Sequence, residues 1–167
     1  DKDYGQLVKP LVKMYKPRHG GGYDILGEKE ICEKYNIQKP SQVIDLLALM
    51  GDSADNFPGC PGVGEKTAIK LISEWQSCEN LIAHAQDIKG AIGRKVADHA
   101  DDIRMSKFLA TIRTDIEEVC QNFDNILESM TLQEPDAAKL SAIFDELEFR
   151  TLAKKILGGD SNAAAGT

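Results

Sequence analysis

The sequence predicts a mostly α-helical protein with one or two short strands at its N-terminal end. Apolar residues recur at three- and four-residue spacing along most of the 167 residues, the pattern of an α-helix with one buried face. Glycine and proline cut that pattern into short pieces, so the helices are brief and closely connected. Period-two alternation is confined to Leu11-Val12-Lys13-Met14-Tyr15, the clear strand signal.

Taken in order, Asp1 to Val8 reads as a loop and a short helical turn. The strand gives way to a turn from Pro17 to Tyr23 containing Gly20-Gly21-Gly22. A helix is expected over Glu28–Tyr35, with Ile31 and Tyr35 on one face. Pro40 and Ser41 mark the start of a second, with Ser41 as N-cap. Its body, Gln42 to Met50, is apolar nearly all round and so belongs in the core. Helices follow over Glu65–Trp75, Glu79–Ala85, from the glycine turn at 89–95 to His99, and over Asp101–Ile112. Ile103, Phe108, Leu109 and Ile112 are core candidates, and Trp75 reads as core. Pro135 opens a last helical region striped by Leu140, Ile143, Phe144, Leu147, Leu152 and Ile156. Gly158–Thr167 reads as a linker or disordered tail.

A chain of this length holds one compact domain or two small ones. Its 42% apolar content is that of a globular protein. No apolar run approaches the ~18 residues of a membrane span. It opens on the charged Asp1-Lys2-Asp3, without a signal-peptide pattern, and reads as a piece of a longer protein. Cys32, Cys60, Cys78 and Cys120 are too scattered for a metal or redox motif, which points to a reduced intracellular setting. His19, His84 and His99 share no ligand spacing and read as surface or capping residues.

The net charge of −7 argues against a uniformly basic polyanion binder. Its distribution is uneven. Residues 59–113 carry eight basic and seven acidic groups, whereas residues 114–167 carry four basic and eleven acidic groups. The middle of the chain is therefore the surface least hostile to nucleic acid, and binding there should be weak and salt-sensitive.

The run from Gly51 to Ile72 carries the chemistry. Gly51-Asp52-Ser53-Ala54-Asp55-Asn56 places two carboxylates three residues apart, on one face if the helical turn continues. Hard oxygen donors of this kind suit a divalent ion, although an acidic pair at a helix end also serves as a cap. Asp1 and Asp3 form a second pair. Pro61-Gly62-Val63-Gly64 then opens a helix. Its glycines admit a close backbone approach, its free N–H groups face outward at an anion, and Val63 can tuck inward. Lys66 and Lys70 lie one turn apart beside Thr67, so all three can serve the same row of phosphates. A plain helical corner would use the glycines only for geometry. Gly93, Arg94 and Lys95 in the second glycine turn are weaker candidates for the same contact.

These stretches, with Gln6-Leu7-Val8, Leu46 to Asn56, Leu109 to Asp115 and Phe144 to Arg150, closely resemble the C-terminal half of the 5′–3′ exonuclease domain of bacterial DNA polymerase I, in the flap-endonuclease family. The resemblance spans about residues 1–157. It implies a helix–three-turn–helix (helix–hairpin–helix, SAM-domain-like) fold, with 1–40 a remnant of the nuclease core and 41–157 the DNA-binding subdomain. It implies metal ligands at Asp1, Asp3, Asp52 and Asp55 for two divalent ions, Mg2+ or Mn2+, and a monovalent cation, K+, at the hairpin. It implies phosphate contacts from Gly62, Val63, Gly64, Lys66, Thr67, Lys70, Gly93, Arg94 and Lys95. The partners it implies are flapped, nicked or gapped duplex DNA and the polymerase part of the same parent chain. The setting is a monomeric bacterial cytoplasmic protein, associated with the nucleoid, that removes primers and flaps in replication and repair. The family's N-terminal half, with its further acids and central sheet, has no counterpart here, so the chain alone is expected to cut DNA poorly. The competing readings are a free-standing, non-catalytic helix–hairpin–helix module, a helix–hairpin–helix glycosylase and an acidic protein-interaction domain.

Overall fold

A computed structural model describes residues 1–158, and the tail expected over Gly158–Thr167 lies almost wholly outside them. The chain forms two compact units, Asp1–Thr114 and Asp115–Thr167.

In the first unit a 3-10 helix, Lys2–Leu7, leads into an antiparallel hairpin, β1 (Met14–Pro17) and β2 (Tyr23–Leu26), with Tyr15 opposite Ile25. The strand signal at Leu11–Tyr15 is thus displaced towards Pro17, and Leu11 is left exposed. The three glycines between the strands all adopt positive φ, which turns the chain back sharply. Helix α1 (Glu28–Tyr35) has the expected bounds, and the Glu30 carboxylate accepts the Gly27 N–H at 2.8 Å to cap it.

Ser41 does not cap the next helix. Pro40–Gln42 is itself a 3-10 turn, which puts Ser41 inside the turn and in solvent. The longer Gln42 side chain reaches back instead, accepting the Gln38 and Lys39 N–H groups at 2.8 and 3.1 Å and donating to the Gln76 carbonyl at 2.7 Å. Helix α2 (Val43–Met50) follows as the centre of the core. Leu46, Leu47 and Leu49 are almost wholly buried, and each contributes about 1.5–3 kcal/mol. Around α2 pack α3 (Glu65–Trp75), α4 (Cys78–Ala83) and α6 (Ala100–Ala110), with α5 (Ala91–Asp98) against α4 and α6.

The buried stripe of α6 is Ile103, Ser106 and Ala110, not the expected Ile103, Phe108 and Leu109. Phe108 and Leu109 lie five and six residues beyond Ile103, on the opposite side of a 3.6-residue repeat, and are exposed. Ile112 lies past the helix and is half-buried. Trp75 is also half-buried and stacks on His84 at 5.3 Å between ring centroids. A buried carboxylate, Asp45, accepts the Cys78 N–H at 2.9 Å and the Lys107 ammonium at 2.6 Å, while Lys107 also meets Glu79 at 2.7 Å. This network ties α2, α4 and α6 together.

The second unit contains α7 (Glu117–Gln121), α8 (Phe123–Ser129), α9 (Ala137–Glu146) and α10 (Arg150–Leu157). The first two carry no clean apolar face and were not expected. Asp136 caps α9 by accepting the Lys139 N–H at 3.1 Å. Of the expected apolar stripe only Phe144 is buried, and Ile143, Leu147, Leu152 and Ile156 remain exposed. Among the described residues no helix is long and apolar enough to cross a membrane.

Candidate metal and nucleic-acid site

Helix α2 ends at Met50, so Asp52 and Asp55 do not continue a helical turn as expected. Gly51 reverses the chain at φ +69°, and the Asp52 and Phe57 backbones pair at 3.0 Å in both directions to close a tight turn over residues 53–56. Gly51 and Gly59 stand back to back at its base. A methyl on Gly59 would fall 2.3 Å from the Gly51 nitrogen, and one on Gly51 would fall 2.6 Å from the Pro58 carbonyl oxygen. Here the two glycines are required by close approach as well as by positive φ.

The acids of this turn come near those of the N-terminal 3-10 helix. Asp1 caps that helix by accepting the Asp3 N–H at 3.2 Å. Lys2 places its ammonium 2.8 Å from Asp52. That contact, with the Ala54 N–H donated to Asp52 at 2.9 Å, holds the Asp52 carboxyl below its ordinary range. Asp3 behaves oppositely. Burial raises its pKa and Lys2 offsets this in part, while the charges of Asp52 and Asp55 push it further up. Its Oδ1 is buried with no hydrogen-bond partner. An orphaned carboxylate oxygen, facing other carboxylates that already draw in a lysine, fits a hard cation. Lys2, Asp52, Ser53 and Asn56 line an open cleft of about 590 Å³. Among the described residues no three His, Cys, Asp or Glu side chains gather closely enough to enclose an ion.

The glycine turn lies a few residues on. Val63 is buried and anchors it, with its N–H on the Cys60 carbonyl at 3.0 Å. Gly62 sits at φ +78°. Gly64 is the N-cap of α3 with an ordinary φ of −92°, and a methyl there would meet nothing within 4 Å. Neither backbone strain nor packing therefore calls for glycine at position 64. Its openness leaves the N-terminus of α3 accessible to an anion. Lys66, Thr67 and Lys70 follow along one side of α3 and line a groove of about 610 Å³ together with Lys89, which the sequence reading had not selected.

The second glycine turn contributes differently from expectation. Gly93 lies inside α5 and is buried, where a methyl would fall 2.3 Å from the Ile88 carbonyl oxygen. It is a packing glycine and offers no surface. Arg94 is exposed. Lys95 reaches across to the first turn, its Nζ within 2.7 Å of where a Gly62 methyl would stand. It also offsets part of the upward shift that burial imposes on the Cys60 thiol. The two turns thus lie close together, with the Lys95 ammonium between them.

The family described as 5'-3' exonuclease, C-terminal SAM fold, matches residues 38–146. DNA polymerase I of Thermus aquaticus is 39% identical over 152 residues, covering 91% of this chain and 17% of that protein. DNA polymerase I of Bacillus subtilis is 37% identical over 166 residues, covering 98% and 18%. The chain therefore spans less than a fifth of the length of these relatives. A solved structure of T5 5'-exonuclease with bound zinc superposes with a TM-score of 0.56 at 21% identity, covering 72% of this chain and 42% of that one. A T5 protein co-crystallised with metal ions gives the same TM-score at 19% identity, covering 95% and 51%. At such identities the structures speak for the fold. By the family match the chain belongs to the 5'-3' exonuclease family and carries its C-terminal SAM fold.

Proposed function

We propose that this chain is the duplex-gripping part of a bacterial DNA polymerase I 5′–3′ exonuclease and supplies one side of its metal centre. The carrying observation is the pairing, within one unit, of an accessible glycine turn under Lys95 with an acidic group whose Asp3 oxygen lacks a partner. Gly62, Gly64, Lys66, Thr67, Lys70, Arg94 and Lys95 would hold the phosphate backbone without reading bases. Val63 pins the turn from within. Backbone carbonyls of the hairpin would hold a monovalent cation, K+. Asp1, Asp3, Asp52 and Asp55 would contribute to holding Mg2+ or Mn2+, which when bound activate water and stabilise the leaving oxygen of a phosphodiester. The substrates would be flapped, nicked or gapped duplexes, processed in replication and repair by a monomeric, cytoplasmic, nucleoid-associated parent chain. Residues 1–40 would belong to the nuclease core and 41–157 to the DNA-binding subdomain.

With few acids gathered, the chain by itself would bind DNA but not cut it. The test is salt-dependent binding to nicked and flapped duplex, with Gly62→Asp and Lys66→Glu alongside. Unchanged affinity in both variants would remove the turn from the interface, and metal-dependent flap cleavage by the pure chain would overturn the incomplete metal site. One observation favours a non-catalytic module instead: Lys2 already neutralises Asp52. Failure to bind Mn2+ would support that reading.

A further inference from the structure

The two acidic segments are about fifty residues apart in sequence, and one helix ties down both. Gln6, in the 3-10 helix that carries Asp3, donates to the Ala110 carbonyl at the end of α6 at 2.9 Å. Its Oε1 accepts the Ile112 N–H, also at 2.9 Å. Ser106, one turn earlier on α6, accepts the Gly59 N–H at 2.9 Å, at the base of the turn that carries Asp52 and Asp55. Ser106 is fully buried and Gln6 is 9% exposed.

A buried polar side chain on an apolar helix face is retained only where its hydrogen bond is needed, since losing a partner strands a buried donor. Both bonds span segments distant in sequence: Ser106 bonds the base of the turn that bears Asp52 and Asp55, and Gln6, itself in the segment that bears Asp1 and Asp3, bonds the end of α6. We propose that the C-terminal half of α6 is the template that sets the Asp1–Asp3 and Asp52–Asp55 segments in register, with Ser106 and Gln6 as positioning residues. This deepens the metal reading above and rests on it for its functional consequence. The coupling is geometric. Ser106 holds the base of the turn, Gln6 holds the 3-10 helix to the end of α6, and a shift of α6 moves both.

The test compares Ser106→Ala and Gln6→Met with Ile103→Val, which thins the same buried face without removing a hydrogen bond to either segment. Backbone amide exchange and Mn2+ binding are read by NMR, and duplex DNA affinity by anisotropy. Ser106→Ala should speed exchange about tenfold at residues 57–59, the factor expected for one lost buried hydrogen bond. Gln6→Met should do the same at Ile112, whose N–H loses its acceptor, and should also speed exchange at residues 5–8, which Gln6 ties to α6. Both should weaken Mn2+ binding, leaving DNA affinity within about twofold. Unchanged exchange in these segments overturns the proposal. So does an equal loss of Mn2+ affinity in Ile103→Val at matched stability. If the unaltered chain binds no Mn2+, the metal reading fails, and the exchange result alone decides whether α6 sets the register.

Discussion

Gly64→Ala separates what the turn does for the fold from what it does for a ligand. The added methyl meets no atom within 4 Å, and φ is −92°, a value alanine adopts freely. Alanine removes freedom from the unfolded chain and so stabilises by about 0.4–1 kcal/mol. It is a poorer N-cap than glycine, which costs about the same. The two effects cancel to within about 0.5 kcal/mol, so the urea midpoint should barely move. Binding should respond quite differently. In the proposed grip, a methyl at the helix N-terminus would stand where a phosphate approaches the free N–H groups. The loss of one charge-assisted hydrogen bond costs about 1.5–3 kcal/mol, or roughly ten- to a hundredfold in Kd. Anisotropy titrations against nicked duplex at two salt concentrations measure this directly. Full duplex affinity in Gly64→Ala would refute the phosphate grip, and a stability loss above about 1.5 kcal/mol would refute the local geometry.

Gly59→Ala should behave in the opposite manner. Its methyl would strike the Gly51 backbone at 2.3 Å in a left-handed conformation, so unfolding urea midpoints should fall by the equivalent of about 3 kcal/mol or more. A loss below ~1 kcal/mol would show that the turn can open without cost. Lys107→Met strands the buried Asp45 and should cost about 3 kcal/mol at neutral pH. Burial opposes the charge on Glu79, but the Lys107 contact prevails and its carboxyl titrates below the usual value of 4.5. A carboxylate depressed in the fold contributes stability that is present above its unfolded pKa and lost as pH falls through the folded value. The gap between the native and Lys107→Met proteins should therefore narrow in acid below about pH 4.5, and a constant gap from pH 7 to pH 3 would contradict this. Asp3→Asn removes a charge that burial and two neighbouring carboxylates disfavour, so thermal stability at pH 7 should rise while Mn2+ binding falls. A drop in melting temperature would mean that the carboxylate is held by contacts absent from the structure.

How much of this was legible beforehand depends on the distance over which each feature is encoded. The bounds of α1 and α3 follow from local pattern and were read correctly, because a glycine N-cap and one apolar face suffice to define them. The Ser41 cap was misread because Pro40 begins its turn one residue early, and α6 was given the wrong face because Phe108 looks like core. Ser106 was missed, although a signal existed. It lies three residues after Ile103 and four before Ala110, a polar residue on the buried phase of its helix.

The sequence by itself determined the helical class, the acidic pairs and the glycine turn, since these depend on neighbours within a few residues. The Gly51–Ile72 motif and its surroundings were also enough to point to the family. Tertiary structure alone decided that Lys95 lies over the other glycine turn, that Gly93 is spent on helix packing, and that Asp3 Oδ1 is buried without a hydrogen-bond partner. It alone brought the Gln6 and Gly59 segments to hydrogen-bond the same helix, α6. The reason is physical. Hydrophobic periodicity specifies which face of a helix is buried, but the charge and hydrogen-bond partner of a side chain depend on what the rest of the chain packs against that face.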